Sequence, residues 1–244
     1  MLGGDQGPSI VVAGCALSAQ ANDAISFILH GDETVLRPLV DRRRELEGRC
    51  EIRHAADVVT MEDKPSQVVR TGKDTSMWSA VESVRTGEAS VAVSCGNTGA
   101  LMAVSMIRLK KMPGVNRPAI AVLYPSSNPQ GFNVILDVGA DVRADAEDLL
   151  RFALMGASYA RNSMDLSRPR VGLLNVGTEE HKGRSELKEA YELIRDQRET
   201  AGFEFVGFVE GVDIAGVRAD VIVTDGFTGN IAIKTGEGTA SMIG

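Results

Sequence analysis

The chain has 244 residues, 43% of them hydrophobic and 24% charged, which is typical of a globular protein with a substantial core. Its formal charge of −7 argues against general nucleic-acid binding, because that requires a basic surface. The three cysteines form no CxxC pair, and no stretch approaches the roughly 18 apolar residues of a membrane span. We therefore expect a cytoplasmic protein without a disulfide framework, a zinc motif or a nucleic-acid partner.

Short β-branched runs alternate with amphipathic segments along the whole chain. This pattern predicts repeated strand–helix units around a mostly parallel sheet, with several strands buried on both faces. In chain order, the predicted strands are Ser9–Ala16, Ala89–Ser94, Ala119–Tyr124, Asn133–Val138, Arg170–Val176, Phe203–Val209 and Asp220–Thr224. The predicted fold class is α/β, and a single catalytic domain over residues 1–244 is the simplest partition.

Three helices are indicated by apolar residues that recur every three to four positions. The first lies between Asp74 and Gly87, with Asp74 as N-cap and Gly87 just past the end. The second runs from about Asp145 to Asn162, and the third begins at Ser185.

Glycine-containing turns follow several of the predicted strands. They are Gly96–Gly99, Gly139–Asp141, Gly177–Gly183 and Gly226–Asn230. In a parallel sheet such turns leave at the carboxyl edge, where ligands usually bind, and glycine lets backbone N–H groups approach an oxyanion. Any one turn is equally a tight connection between a strand and a helix, but their recurrence favours phosphate binding. Neither a P-loop nor a GxGxxG motif is present.

Several motifs carry a resemblance to a known family. They are Gly3-Gly4-Asp5 with Pro8, Lys64-Pro65-Ser66, Gly72 to Trp78, Ser94 to Ala100, Asn175 to Glu180, and Thr224 to Asn230 followed by Lys234 and Glu237-Gly238-Thr239. In this order they resemble the bacterial phosphate acyltransferase (PlsX) family over essentially the whole chain.

The resemblance implies transfer of a fatty acyl group from acyl carrier protein to inorganic phosphate, for phospholipid synthesis. It implies a homodimer without cofactor or metal, attached peripherally to the inner face of the membrane, that supplies a membrane glycerol-3-phosphate acyltransferase. The implied fold is a Rossmann-like three-layer α/β/α sandwich of the isocitrate and isopropylmalate dehydrogenase type. The chain starts at the Gly-Gly-Asp motif and stops at Gly244, so the resemblance also implies truncation at both ends, without the family's first strand and C-terminal helices.

The same resemblance indicates the site residues. Lys182 is expected to hold phosphate or the oxyanion by its charge, and Asn230 to donate an amide N–H to the oxyanion. The expected binding residues are Asp5, Lys73, Gly96, Asn97, Thr98, Gly99, Thr178, Asp225 and Thr228.

Each of these assignments has a structural alternative. A loop lysine is otherwise a solvated charge, and Asn230, Asn97 and Thr98 are equally suited to capping helices. The carboxylates of Asp5 and Asp225 would repel phosphate unless paired. We therefore expect them, like Lys73, to orient other side chains or to form structural ion pairs.

Two further features have competing interpretations. Cys95 precedes a predicted helix and stands where the family usually has alanine; it is either an acyl-accepting thiolate or a buried small side chain. The basic cluster of Arg108, Lys110, Lys111 and Arg117 is either a docking surface for the acidic carrier protein or a solvated loop.

Two other functions remain open at the level of sequence. A dehydrogenase of the isopropylmalate type is suggested by kinship of fold, but it should carry a metal-binding aspartate set and a cofactor loop. A non-enzymatic scaffold for lipid synthesis would bind acyl carrier protein without phosphate-dependent transfer.

Overall fold

A computed structural model describes residues 7–115 and 118–244. Asp5 and Arg117, which the sequence singled out, lie outside the described residues. The chain divides into two compact units, Met1–Lys111 and Met112–Gly244, and each is described by itself. Both combine helices with strands, so the α/β fold class is confirmed. That residues 1–244 act as one catalytic domain stays a prediction.

The first unit contains five helices and two strands within its described residues. They are α1 Gly7–Ala21, β1 Phe27–Gly31, α2 Glu33–Val40, β2 Cys50–His54, α3 Pro65–Thr71, α4 Ser76–Arg85 and α5 Thr98–Arg108. Strands β1 and β2 are parallel. One apolar cluster joins α1 and α2 to β1 through Val12, Leu29 and Leu36. A second cluster joins α3, α4 and α5 through residues such as Val81 and Val104.

Two predicted strands in this unit are wrong. Ser9–Ala16 is helical and lies in α1, because Val12, Ala16 and Ala19 fall on one helical face and are buried together. Ala89–Ser94 alternates like a strand, but it pairs with none of the described strands and leaves Val91 70% exposed. A strand without a neighbour has no partner for its backbone hydrogen bonds.

The second unit is built on one five-stranded sheet. Its elements are β3 Ala121–Pro125, β4 Phe132–Leu136, α6 Ala146–Ser163, β5 Arg170–Leu174, α7 Ser185–Gln197, β6 Glu204–Val209, β7 Val221–Val223 and α8 Gly226–Ile243. The strand order is β3-β4-β7-β5-β6, in which only β3 is antiparallel to its neighbour. The five strands predicted after residue 118 are thus confirmed, with small shifts of their ends.

Apolar side chains cover both faces of this sheet. On one face, Phe152 and Ala157 of α6 and Ile194 of α7 pack against the strands. On the other face, Ile233 of α8 and Ile214 pack against Ile222 of β7. The unit therefore has three layers, and this explains why β4, β5 and β7 are almost continuously apolar.

Helix starts in the chain follow the expected capping chemistry. Asp145 caps α6 by accepting the N–H of Asp148 at 2.8 Å, as predicted. Helix α4 begins one residue later than expected, because Thr75 rather than Asp74 accepts the N–H of Trp78. Gly87 follows α4 with φ of 80°, the left-handed conformation that a C′ glycine adopts.

A buried polar network closes the amino edge of the sheet in the second unit. The guanidinium of Arg170, where β5 begins, donates to both carboxylate oxygens of Asp220 at 3.0 and 2.6 Å. Asn128 donates to the Asn133 side chain and to the Ala219 carbonyl. These bonds fix the segment before β7 against its two neighbouring strands, on the edge opposite the glycine turns.

The closest approach of α6 to the sheet yields a prediction about stability. A Cβ at Gly156 would lie 2.4 Å from Val221 Cγ1 and 2.8 Å from Leu136 Cδ1, atoms of two buried strands. We expect Gly156→Ala to lower the free energy of unfolding by about 1–3 kcal/mol through overpacking, despite the better helix propensity of alanine. Chemical denaturation measures this.

Gly238→Ala is the matched control, because a Cβ at Gly238 in α8 meets nothing within 4 Å. It should leave stability unchanged or raise it by up to about 1 kcal/mol. Equal stability of the two variants would contradict the close packing of α6 on β4 and β7.

Candidate functional site

The carboxyl ends of β4, β7 and β5 lie side by side in the second unit, because these strands are parallel neighbours. The segments that leave them are 137–141, 224–230 and 175–184. Several contacts join these segments. The Asn230 side chain lies against Gly139, the Asp137 N–H donates to the Thr224 carbonyl at 2.9 Å, and Arg184 forms an ion pair with Asp225. Three of the four glycine turns expected at one edge are therefore there.

Asp225 organises the start of α8. Its buried carboxylate accepts the Thr228 N–H at 2.8 Å and the Thr228 hydroxyl at 3.0 Å, and it pairs with the exposed guanidinium of Arg184. Burial tends to raise the pKa of Asp225, but these hydrogen bonds and Arg184 outweigh it and lower the pKa. The structural role expected for Asp225 is thus present, and the cation that it orients is Arg184.

Asn230 lies in the second turn of α8 rather than at its start, so the alternative that it caps the helix is wrong. A Cβ at Gly139 would lie 2.8 Å from Asn230 Nδ2, and Gly139 has φ of 123°. Both facts require glycine at this position. Glycine at position 139 therefore leaves room for the Asn230 amide beside the turn after β4.

Asp137, which was not predicted from the sequence, stabilises the turn after β4 through hydrogen bonds. Its buried carboxylate accepts the N–H groups of Ala140 at 3.0 Å, Asp141 at 2.8 Å and Ile120 at 2.9 Å. Burial raises the pKa of Asp137, and these N–H donors act in the opposite direction. Its only sequence signal is a carboxylate that ends an apolar strand just before a glycine turn.

Lys182 lies in the exposed loop after β5. Its ammonium is 2.8 Å from the Glu179 carboxylate, and this hydrogen bond raises the pKa of Lys182. The side chain folds over Gly177, where a Cβ would lie 2.5 Å from Lys182 Cδ. Thr178 is exposed in the same loop. Within the described residues, no hydrogen bond joins Lys182 to Asn230.

The remaining predicted site residues belong to the first unit. Asn97 caps α5 by accepting the Ala100 N–H at 3.0 Å, and its Nδ2 donates to main-chain carbonyls, the shortest bond being 2.9 Å to Asp63. Gly99 packs closely on Pro65, and Thr98 begins α5. The capping alternative thus describes the observed contacts of the Asn97 side chain. The turn Gly96–Gly99 follows no strand among the described residues.

Lys73 lines a polar cavity of about 480 Å³ in the first unit. The other lining residues are Arg53, Trp78, Ser79, Glu82, Ser83, Thr86, Glu88 and Arg108. Hydrogen bonds from Arg85 and Arg108 lower the pKa of Glu82 to about 2. Arg108 also lies over the Trp78 ring, 5.3 Å from its centroid. Arg108 is thus engaged within the unit, unlike a residue of a solvated basic loop.

Cys95 is exposed, so the alternative of a buried small side chain is wrong. Searched over residues 7–115 and 118–244, no group of three or more His, Cys, Asp and Glu side chains could hold a metal ion. In the same ranges no helix combines the length and the hydrophobicity needed to cross a bilayer.

Sequence comparisons extend over the whole chain. The family described as "Fatty acid synthesis protein" matches residues 1–244. The phosphate acyltransferase of Roseobacter denitrificans is 73% identical over 243 residues, and that of Ruegeria sp. is 75% identical over 242 residues. These alignments cover 100% and 99% of this chain but 68% and 64% of the relatives. The chain thus spans about two thirds of their length.

Solved structures show the same fold at low sequence identity. The EutD phosphotransacetylase from Staphylococcus aureus superimposes with a TM-score of 0.64 at 18% identity, over 94% of this chain and 78% of that one. A phosphotransacetylase from Streptococcus pyogenes gives a TM-score of 0.59 at 16% identity, over 95% and 87%. At such identities the likeness shows the fold alone.

The Asp225–Arg184 ion pair predicts a specific pH dependence of stability. Because the folded pKa of Asp225 is lowered, its contribution is complete above the unfolded value near 3.8 and is lost as the pH falls through the folded value. We expect Asp225→Asn to reduce the free energy of unfolding by about 1 kcal/mol at pH 7. In urea titrations this difference should shrink below pH 4, and a difference that grows there would contradict the assignment.

Proposed function

This chain belongs to the fatty acid synthesis protein family, with the phosphate acyltransferases among its relatives, and we propose that it transfers a fatty acyl group to inorganic phosphate. The observation that carries the proposal is the 73% identity to a phosphate acyltransferase over the full length of this chain. The acyl donor is a thioester of acyl carrier protein, and the product serves phospholipid synthesis.

The reaction requires no redox step. A phosphate oxygen attacks the thioester carbonyl to give a tetrahedral oxyanion, which collapses by breaking the C–S bond. The products are an acyl phosphate and the carrier protein's thiolate, which takes a proton from solvent. Phosphate is already ionised at neutral pH, so the main tasks of the protein are to position phosphate and to stabilise the oxyanion.

Lys182 supplies the positive charge for phosphate in this proposal. A lysine ammonium is protonated at neutral pH, and the hydrogen bond to Glu179 raises the pKa of Lys182 further. The side chain belongs to the loop that leaves the carboxyl end of β5. Arg184 adds a second cation at the same edge, held by Asp225. Thr178 provides an exposed hydroxyl in the loop after β5, and Thr228, whose hydroxyl donates to Asp225, lies on the adjoining segment.

Asn230 donates its amide N–H to the developing oxyanion. The support is its place against Gly139, in a turn whose N–H groups bind the buried Asp137 carboxylate, at the carboxyl edge of the sheet. A donor already placed where charge develops on the substrate lowers the cost of reorganisation. We also propose Lys73 and the α5 start at Gly96–Gly99 as substrate-binding residues of the first unit.

We propose the acidic acyl carrier protein as donor partner, a homodimer as assembly, and peripheral contact with the inner face of the membrane. The acyl phosphate then passes to a membrane glycerol-3-phosphate acyltransferase. These partners follow from the family and from the labile nature of an acyl phosphate, which favours direct transfer.

The decisive experiment measures free thiol released from palmitoyl-acyl carrier protein, with and without inorganic phosphate. We expect phosphate-dependent release and an acyl product that hydroxylamine cleaves. Lys182→Ala should lower kcat/KM for phosphate by about 100-fold, the scale of one lost transition-state contact. Lys188→Ala, which removes the same exposed charge from α7, should retain activity. Thiol release that does not depend on phosphate would instead indicate thioester hydrolysis or an acyl-enzyme formed on Cys95.

The Lys182–Glu179 ion pair gives a second kinetic prediction. Glu179 competes with phosphate for the ammonium, because the two anions need the same cation. Glu179→Gln should therefore lower KM for phosphate several-fold, with little change in KM for the acyl donor. Glu180→Gln removes a neighbouring exposed charge and should not lower KM for phosphate. Equal effects of the two variants would indicate only a change of net charge.

A further inference from the structure

The loop that carries Lys182 has few attachments to the rest of the second unit. Thr178 to Lys182 are all exposed, as is Val176. Inside the loop, the Lys182 N–H donates to the Glu179 carbonyl at 3.0 Å, which closes a turn. Among the described residues, two side-chain contacts attach this segment from outside the turn. Asn175 Nδ2 donates to the Lys182 carbonyl at 3.2 Å, and Arg184, two residues further on, pairs with Asp225.

Asn175 itself is firmly held. It directly follows β5, it is 8% exposed, and its backbone N–H donates to the Val209 carbonyl of β6 at 2.8 Å. The residue is therefore a continuation of the rigid sheet, whereas its side chain reaches seven positions along the chain to the loop. This hydrogen bond therefore couples the position of the Lys182 backbone to that of the sheet.

The contact between Asn175 and Gly183 is close and specific. A Cβ at Gly183 would lie 2.3 Å from Asn175 Oδ1, and Gly183 has φ of 89°. The backbone of Gly183 thus lies directly on the carboxamide. Asn175 Oδ1 is buried and has no hydrogen-bond partner among the described residues. The contacts of the Asn175 carboxamide with the loop are therefore its Nδ2 hydrogen bond to Lys182 and the close approach of Gly183.

We propose that Asn175 is a positioning residue that acts through Lys182. Its carboxamide fixes the Lys182 backbone, so that the ammonium is held at the carboxyl edge of β5 for phosphate. The inference rests on the proposed acyl transfer to phosphate. Aspartate at this position would turn a donor into a second acceptor against the Lys182 carbonyl, and alanine would remove the bond altogether.

The first test measures the loop without using activity. Hydrogen exchange of the peptide spanning residues 176–184, followed by mass spectrometry, should be at least tenfold faster in Asn175→Ala than in the parent chain. Asn128→Ala is the matched control, because it removes a buried asparagine of the same unit at the opposite edge of the sheet. It should leave exchange in this peptide unchanged.

The second test is a double-mutant cycle on phosphate-dependent thiol release. Asn175→Ala should lower kcat/KM for phosphate about tenfold while KM for the acyl donor changes little. In the Lys182→Ala background the same substitution should cost nothing further, because a residue that acts only through Lys182 has nothing left to position. Asn175→Asp should be as impaired as Asn175→Ala.

The outcomes separate the two levels of the proposal. Unchanged exchange in Asn175→Ala overturns the positioning role, whatever the enzyme activity. Faster exchange with additive losses in the cycle also overturns it, since Asn175 would then act independently of Lys182. If the parent chain releases no thiol in response to phosphate, the proposed function fails while the exchange result still decides whether Asn175 holds the loop.

Discussion

The burial of β7 is the constraint on which the second unit depends. This central strand has only three residues, Val221, Ile222 and Val223, and all are 0% exposed. Each buried aliphatic side chain contributes about 1.5–3 kcal/mol, and the strand hydrogen-bonds to β4 on one side and β5 on the other. Only Thr224 and Asp225 connect β7 to α8, so Asp225 and the start of α8 lie at the carboxyl edge.

The two carboxylates at the carboxyl edge are buried, and a buried charge needs hydrogen-bond donors or an opposite charge beside it. Asp137 and Asp225 lie at strand ends where water is largely excluded, so each carboxylate is surrounded by donors, chiefly N–H groups for Asp137 and Thr228 with Arg184 for Asp225. The capped N-terminus of α8 therefore already holds a negative charge. An added phosphate would be repelled there, which moves the favourable place for an anion outwards, toward the exposed cations Arg184 and Lys182.

The sequence predicted the parts of the molecule that depend on local pattern. The sequence predicted β4, β5 and β7 because a short, almost continuously apolar run fits a strand that is buried on both faces. It predicted α6 because apolar residues recur every three to four positions after Asp145, a suitable N-cap. The predictions were wrong where a pattern fits more than one kind of structure. The β-branched residues near Val12 belong to a helix, and Ala89–Ser94 has no neighbouring strand among the described residues. Two short strands were missed. Cys50–His54 contains three polar residues, and Phe27–Gly31 has only a three-residue apolar run before His30.

Only those residues of the candidate site that belong to recognisable sequence motifs could be predicted. The sequence indicated Lys182, Asn230 and Asp225, but it could not indicate that Asp225 binds Arg184 or that Asp137 supports the turn at Gly139. Those relations join residues 41 positions apart, or depend on a buried carboxylate whose donors are backbone N–H groups. They arise only when three parallel strands end side by side.

The candidate site combines groups on the sheet edge with an exposed charge, and this division suits the proposed chemistry. Asn230, the proposed oxyanion donor, extends from α8 against the glycine turn after β4. Lys182 is instead exposed and bound to Glu179 by an ion pair of the weak, solvent-screened kind, so an incoming phosphate with higher charge can displace the glutamate. In our proposal Asn175 fixes the Lys182 backbone and leaves its side chain free. The replacement of Glu179 by phosphate is therefore limited to one place. In this proposal the Lys182 backbone keeps its place relative to the sheet while the ammonium exchanges Glu179 for phosphate.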